Sequence, residues 1–556
     1  MKTIYYKYLF IILCCCVIVA CAASKVILQK PQIVTVSFAK KQPLTKEEKQ
    51  NWHFKDISKD TILGISHERL STDILKNKKS NTIIIAVLDT PINDKHEYLK
   101  NHIWVNSDEV PNNNIDDDGN GYIDDINGWN FLGNRFGKNQ IYSNMEFNRI
   151  RNKYLSKYDI EDFKNEETYI YEKTSNLLDS MLNDSRENQQ YYTMMFNSCN
   201  QAQKVIQKYY KHYNYSIKQL DSLKKIHPND TIIQSALLRF SNFKSYIGID
   251  VISKNYKLYN KYVNILEDED FDERLNIGDN INDINDKFYG NNQINHNIDL
   301  FNHGTLVSGA MVELLKPLSN KNKSHLNFQI MPISIANYGD THDKDIALAI
   351  RYAVDNGAKI INMSFGKTLS IRKDWVFEAL QYAEKHDVLI ISSAGNNSQD
   401  LTKMNDYYPN DNENNSLEVS SNFLLVGAST NQIDEKLAAS FSNYGNIDVD
   451  IFAPGIDIYT TTVNDNYEFQ SGTSMSASIT SSVAALIRSY YPNLTASEVK
   501  QIIMESGVSY DIMVNKPSTG KEKELVPFSS LSKSGKIVNA YNALLMAAEV
   551  SKKKKK

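Results

Sequence analysis

The feature that most constrains the fold is a run of β-branched and aliphatic residues, Thr82-Ile83-Ile84-Ile85-Ala86-Val87-Leu88, that ends on an acid, Asp89. A strand with one wet face alternates apolar and polar residues. A strand without that alternation is buried on both faces, as in a parallel sheet covered by helices on each side. Similar runs recur at 358–363, 388–392 and 423–426, with amphipathic stretches between them. Residues 345–356 (DIALAIRYAVDN) carry apolar side chains at helical spacing and stop at Gly357, a favoured helix terminator. Residues 374–386 behave likewise. Strands alternating with helices predict an α/β domain on a parallel β-sheet flanked by helices.

Residues 134–298 break this rhythm. They are rich in Tyr, Asn, Lys and Glu and poor in Gly and Pro, which predicts a mostly helical insertion. Helices are expected over 166–181, 187–226 and 231–245, and an acidic, Asn-rich loop over 267–297. No catalytic motif stands out in this stretch. Cys199 and the aromatic residues of 191–215 read as internal packing.

The N-terminus reads as an export signal. Lys2 and Lys7 precede an uncharged apolar run, residues 9–20, too short to span a bilayer comfortably. Its end, Val17-Ile18-Val19-Ala20-Cys21, resembles a bacterial lipobox, which implies lipidation at Cys21 and a cell-envelope lipoprotein held to a membrane by its lipid. A plain cleaved signal and an uncleaved anchor are the alternatives. The layout expected is a signal over 1–20, a linker over 21–50, a main domain over 51–133 and 299–545, the insertion, and a solvated Lys-rich tail over 546–556. Four of the five cysteines lie in the first 21 residues, so no disulfide framework is expected. A net charge of −4 gives no pointer to nucleic acid.

Three short motifs carry chemistry in order: Ala86-Val87-Leu88-Asp89-Thr90, His303-Gly304-Thr305-Leu306-Val307-Ser308-Gly309 and Ser471-Gly472-Thr473-Ser474-Met475-Ser476-Ala477. Together they resemble the subtilisin-like serine protease family, in which acid, base and nucleophile come in that order. Two further segments fit. Ile361-Asn362-Met363-Ser364-Phe365-Gly366 resembles the strand that pairs with substrate, and Ser393-Ala394-Gly395-Asn396-Asn397 resembles the oxyanion-hole segment. The resemblance covers roughly 51–133 and 299–545. It implies a subtilisin-like fold and a serine endopeptidase acting on proteins or peptides through an acyl-enzyme, with no organic cofactor. Ser474 would attack, His303 would take and return the proton, and Asp89 would orient the imidazole. Asn396 and the backbone N–H of Ser474 would stabilise the oxyanion. Ser364, Phe365 and Gly366 would pair with substrate, and Ser393, Ala394 and Gly395 would wall a roomy pocket suited to large or aromatic side chains. Three positions depart from the family pattern: Pro91 where Gly is usual, Leu306 where a second His is common, and Ser478 where Pro is familiar. A catalytically dead binding homologue and a ligase that captures the acyl-enzyme with an amine are the rival readings.

Residues 116–127 (DDDGNGYIDDIN) place oxygen donors at EF-hand-like spacing: Asp116, Asp118, Asn120 and Asp124, with the carbonyl of Tyr122 and a turn at Gly121. Asn127 stands where an EF-hand has its bidentate Glu, which calls in another ligand such as Asp125. Hard oxygen donors favour Ca²⁺. An acidic turn without an ion is the alternative.

Overall fold

The computed structural model describes residues 39–555 except 41, 71–73, 76–77, 156–164, 213–214, 323–326, 404–406, 413–415 and 521–522. The expected signal and Cys21 lie outside the described residues. Nine strands form one sheet in the order β10-β13-β7-β6-β5-β4-β1-β3-β2. Its centre is parallel: β1 (Ile83–Asp89) pairs with β3 (Phe328–Ser334) and β4 (Ile360–Met363), and β5 (Leu389–Ser393), β6 (Phe423–Ser429) and β7 (Ile451–Pro454) follow. The edges are short: β2 (Trp129–Asn130) at one side, β13 (Lys536–Ile537) and an antiparallel β10 (Val508–Ser509) at the other.

Burial on both faces explains the unbroken apolar runs. Ile83, Ile85 and Val87 face a core shared with Val307, Met311, Val483 and Leu544, whereas Ala86 and Leu88 face one shared with Ile346, Ile350, Val376 and Leu380. The first core belongs to helices α8 (His303–Asn322), α11 (Thr473–Tyr490) and α13 (Ala540–Lys554), the second to α9 (Asp343–Asp355) and α10 (Lys373–Lys385). Helix α11 is buried from end to end although rich in Ser and Thr. Ser478, Thr480 and Ser482 each donate to the carbonyl four residues back, so no hydroxyl there is left unsatisfied. At the position where the family often has Pro, Ser478 therefore keeps the helix hydrogen-bonded.

Before the sheet, α1 (Lys46–Asn51) starts in a Thr45/Glu48 capping box, and α2 (Ile57–Asp60) is capped by Asp56. The linker expected over 21–50 thus ends in ordered helix. The Trp52 indole donates to the carbonyls of Ile456 and Asp457, docking this segment on the body. The lysine-rich end forms the last turn of α13, its lysines 552–555 exposed as expected, and Lys554 Nζ contacts Glu498 and the carbonyl of Asn493, where cations also suit the helix dipole.

The stretch between β2 and α8 is helical in its first part: α3 (Glu146–Leu155), α4 (Asn165–Ile206), α5 (Ile217–Ile226), α6 (Thr231–Tyr246) and α7 (Ile249–Glu267). The two helices expected over 166–226 are divided differently. α4 runs unbroken for 42 residues because it contains neither Gly nor Pro, and the break falls at Ser216, whose capping box with Gln219 starts α5. Helix α7 was not expected. The distal ends of α4, α5 and α6 close a small core around Ile206, Tyr215, Leu223 and Phe240, in which Cys199 is free and buried. After α7 the chain returns through a loop that bonds Asn291 to Asn130 and Ile294 to Ile92, delivering His303 beside the end of β1. No helix among the described residues is long and apolar enough to cross a membrane.

Candidate active site

Asp89 ends β1 and is 1% exposed. Its Oδ1 accepts from the backbone N–H of Thr90 at 2.7 Å and stands 2.7 Å from Nδ1 of His303. His303 opens α8, and its backbone comes close to β1's end: Gly304 N donates to Thr90 Oγ1, and a Cβ on Gly304 would lie 2.3 Å from the Thr90 carbonyl. Only glycine permits that approach, so His-Gly at the helix start is a packing requirement. With Nδ1 engaged by the carboxylate, the proton-accepting nitrogen is Nε2. Burial opposes the charged imidazole, but the charge and hydrogen bond of Asp89 outweigh it and hold the His303 pKa above its ordinary value of 6.5.

Ser474 is the second residue of α11. Its hydroxyl donates to the carbonyl of Ser364 at 3.2 Å, and the structure gives it this bond in place of one to His303. Ser364 in turn donates to the Ser474 carbonyl and accepts from Asn362, which is held by Ser481.

Asn396 faces the start of α11. Its Oδ1 accepts from both the N–H and the hydroxyl of Thr473, each at 2.9 Å, which fixes the amide and leaves Nδ2 to donate elsewhere. A Cβ built on Gly472 would lie 3.5 Å from Asn396 Nδ2 and 3.8 Å from Ser474 N. The two nitrogens therefore border one small space at a helix N-terminus, where the dipole favours negative charge. Thr473, which sequence reasoning did not single out, is the residue that aims the amide.

The segments expected to hold substrate lie side by side, because β4 pairs with β5 in parallel up to Met363 and Ser392. Ser364 and Phe365 follow β4, and Ser393, Ala394 and Gly395 follow or end β5. The room expected beside Ser393, Ala394 and Gly395 holds the ring of Tyr407, which also lies against Gly366 and whose hydroxyl donates to the Ser393 carbonyl. Beyond Gly366 the chain is fixed by buried charge. Lys367 Nζ lies 2.9 Å from Glu146 on α3 and 2.8 Å from Asp343 on α9, and Glu146 also accepts the N–H of Ile371. Burial works against these charges. The cations Lys367 and Arg149 hold the Glu146 carboxyl well below its usual range, and Glu146 and Asp343 hold Lys367 above its own.

In the acidic loop, carboxylate oxygens of Glu109, Asp118 and Asp125 lie within 4.8 Å of one another. Asp118 is an expected ligand and Asp125 the further one that the missing Glu at 127 calls in; Asp116, Asn120 and Asp124 are not in that group. Asp116 accepts from the N–H groups of Asn120 and Gly121, Asn120 from that of Tyr122, and Asp124 from those of Asn113 and Asn114. Tyr122 packs its ring on Trp129 and Tyr352. Among the described residues no lysine or arginine pairs with the three clustered carboxylates. Burial raises the Asp125 pKa to about 6 despite hydrogen bonds from Tyr352, Asn106 and Asn120, which fits a site built for a cation. Glu109 was missed because it lies upstream of the motif.

The model of the subtilase family matches residues 80–525. The chain is 32% identical over 244 residues to the cell wall-associated protease of Bacillus subtilis (strain 168), covering 43% of this chain and 24% of that protein. It is 33% identical over 210 residues to the thermophilic serine proteinase of Bacillus sp. (strain AK1), covering 38% and 47%. It is 35% identical over 144 residues to thermitase of Thermoactinomyces vulgaris, covering 26% and 45%. The matched regions span from about a quarter to about half of these relatives.

Proposed function

This chain belongs to the subtilase family, and from that premise we propose that it is a serine endopeptidase cutting proteins or peptides through an acyl-enzyme. The observation that carries the reading is the 2.7 Å pair of His303 and Asp89 beside a helix that begins with Thr473 and Ser474 and is faced by Asn396. Ser474 is the nucleophile. Turning away from the Ser364 carbonyl would free its hydroxyl to give its proton to His303 Nε2, which would pass it to the leaving amine. Asp89 keeps the imidazole in the tautomer with Nδ1–H and stabilises its charged form. The Asn396 amide and Ser474 N–H receive the oxyanion, one such donor being worth about 10²–10³ in rate. Ser364, Phe365 and Gly366 present backbone to an extended substrate.

The peptidase unit comprises 51–133 and 299–545, and 134–298 is an accessory insertion. Glu109, Asp118 and Asp125 would hold Ca²⁺, whose charge would offset three crowded carboxylates and brace the loop beside β2. Cys21 bears the lipid in a bacterial cell-envelope protein.

The test is cleavage of casein by the protein and by its Ser474→Ala variant, with Ca²⁺ or a chelator, together with labelling by a serine-directed fluorophosphonate. Cleavage and labelling lost only in the variant support the reading, and loss with chelator assigns the ion a structural part. The hydroxyl bond from Ser474 to Ser364 favours one second reading, a peptide-binding homologue that does not cut. A folded protein that neither cleaves nor labels would establish that reading instead.

A further inference from the structure

Gly366 and Gly395 carry no side chains, and on sequence alone the small residues Ser393, Ala394 and Gly395 should leave a roomy pocket. The structure puts Tyr407 there. A Cβ on Gly366 would lie 2.4 Å from the Tyr407 hydroxyl oxygen and 2.5 Å from Cζ, and a Cβ on Gly395 would lie 2.8 Å from its Cε2. One phenol thus lies against both glycines, 8% exposed, with its hydroxyl bonded to the Ser393 carbonyl between them. The segment bearing it is pinned in turn: Lys367 N donates to the Tyr408 carbonyl at 2.8 Å and Tyr408 N to the Lys367 carbonyl at 2.9 Å. Lys367 itself is locked by its buried pairs with Glu146 and Asp343. For the ring to leave, a buried hydrogen bond must break and close packing on two backbone segments must be lost.

We propose that Tyr407 fills the pocket for the substrate side chain preceding the cut, so that the enzyme selects Gly, Ala or Ser there and rejects Leu and Phe. The proposal rests on the peptidase reading. It reverses the preference for large side chains that the small residues Ser393, Ala394 and Gly395 suggest by themselves. A pocket floor raised by a fixed ring acts sterically. A methyl group fits above it, and each further carbon must displace the ring or hold the scissile carbonyl away from Ser474.

The experiment compares kcat/KM for peptide p-nitroanilides identical except for the last residue before the bond, Ala, Leu or Phe, using the full chain, Tyr407→Phe and Tyr407→Ala. The full chain should prefer Ala over Phe by about 10-fold or more. Tyr407→Phe keeps the ring and should keep the order, and Tyr407→Ala should raise the Phe substrate above the Ala one. The scan of the unaltered chain decides the matter even if Tyr407→Ala does not fold: a preference for Phe or Leu overturns the proposal and leaves the peptidase reading intact. Fluorophosphonate labelling of Ser474 separates the two failures. A folded chain that is neither labelled nor active on any of the three peptides overturns the peptidase reading, and the pocket assignment with it.

Discussion

At His303 two effects oppose each other: burial disfavours the imidazolium, and the Asp89 carboxylate at 2.7 Å favours it and prevails. As the proposed general base, His303 must be neutral in the free enzyme, so activity should be lost as pH falls through its pKa. Because that pKa is raised, the acid limb of kcat/KM against pH should lie above 6.5, the value of an unperturbed imidazole. In Asp89→Asn the charge that holds the proton is gone, so the limb should move to lower pH. At the same time kcat should fall by about 10⁴, because the amide no longer selects the Nδ1–H tautomer. A pH–rate series on both proteins checks this, and an unmoved limb would mean that another group sets it. The three groups of the candidate site could be named from the sequence because each sits in a local motif with its own backbone demand: a strand end, His-Gly at a close approach, Gly-Thr-Ser at a helix start. Tyr407 was not legible as a pocket filler. Its position depends on where the chain beyond Asn396 returns to Lys367, and no local pattern encodes that pairing.

At the level of elements, the segment leaving β4 is braced by α3 and α9 through a buried lysine with two carboxylates. Lys367 and Glu146 side chains are each 2% exposed. Removing Lys367 takes from Asp343 its salt-bridge partner, while Glu146 keeps Arg149 at 2.6 Å; leaving a buried carboxylate without its partner costs about 3–5 kcal/mol. Lys367→Met should therefore lower stability by that order in urea unfolding. Adding Asp343→Asn should return part of the loss, because the carboxylate that lost its partner is then neutral. A purely additive double variant would show that the pair is not coupled. KM for peptides should rise in Lys367→Met, since the next residue toward the site is Gly366. Helices and strands were readable wherever one residue pattern served one environment, as in β1 or α9. The buried pairs were not, because a lysine at 367 and a glutamate at 146 look like surface residues until the fold brings them together across 221 positions. Helix α7 escaped for a related reason. Its buried side chains Ile252, Val263, Ile265 and Leu266 are diluted by lysines and by the tyrosines that stack on α4.

For the molecule as a whole, the helical insertion has two parts with different attachments. Near the body, Arg274 bonds Asp345 on α9 and Asp279, Lys344 bonds Asp279, and Lys254 on α7 reaches the Leu300 carbonyl just ahead of His303. These contacts tie the insertion's base to the elements that carry the site. Farther out, α4 and α7 stay paired by stacked rings, Tyr192 on Tyr259 and Phe196 on Tyr256. Beyond them the distal core around Phe240 is self-contained. The chain enters and leaves the insertion beside Asn130 and Ile92, close to the end of β1, so the base of the insertion lies near the candidate site. A size filter built this way would use the distal part for exclusion and the base for support. Replacing residues 200–250 with a short Gly-Ser linker should then leave a folded protein, because the stacked rings and the Lys254 contact remain. Cleavage of a small peptide should be nearly unchanged, since no group of the site is touched, and cleavage of casein should rise relative to it. Measuring both rates on the same preparation controls for the active fraction. A ratio equal to that of the full chain would remove the distal part from any role in access, and loss of both activities would show instead that the base needs the tip to hold its shape.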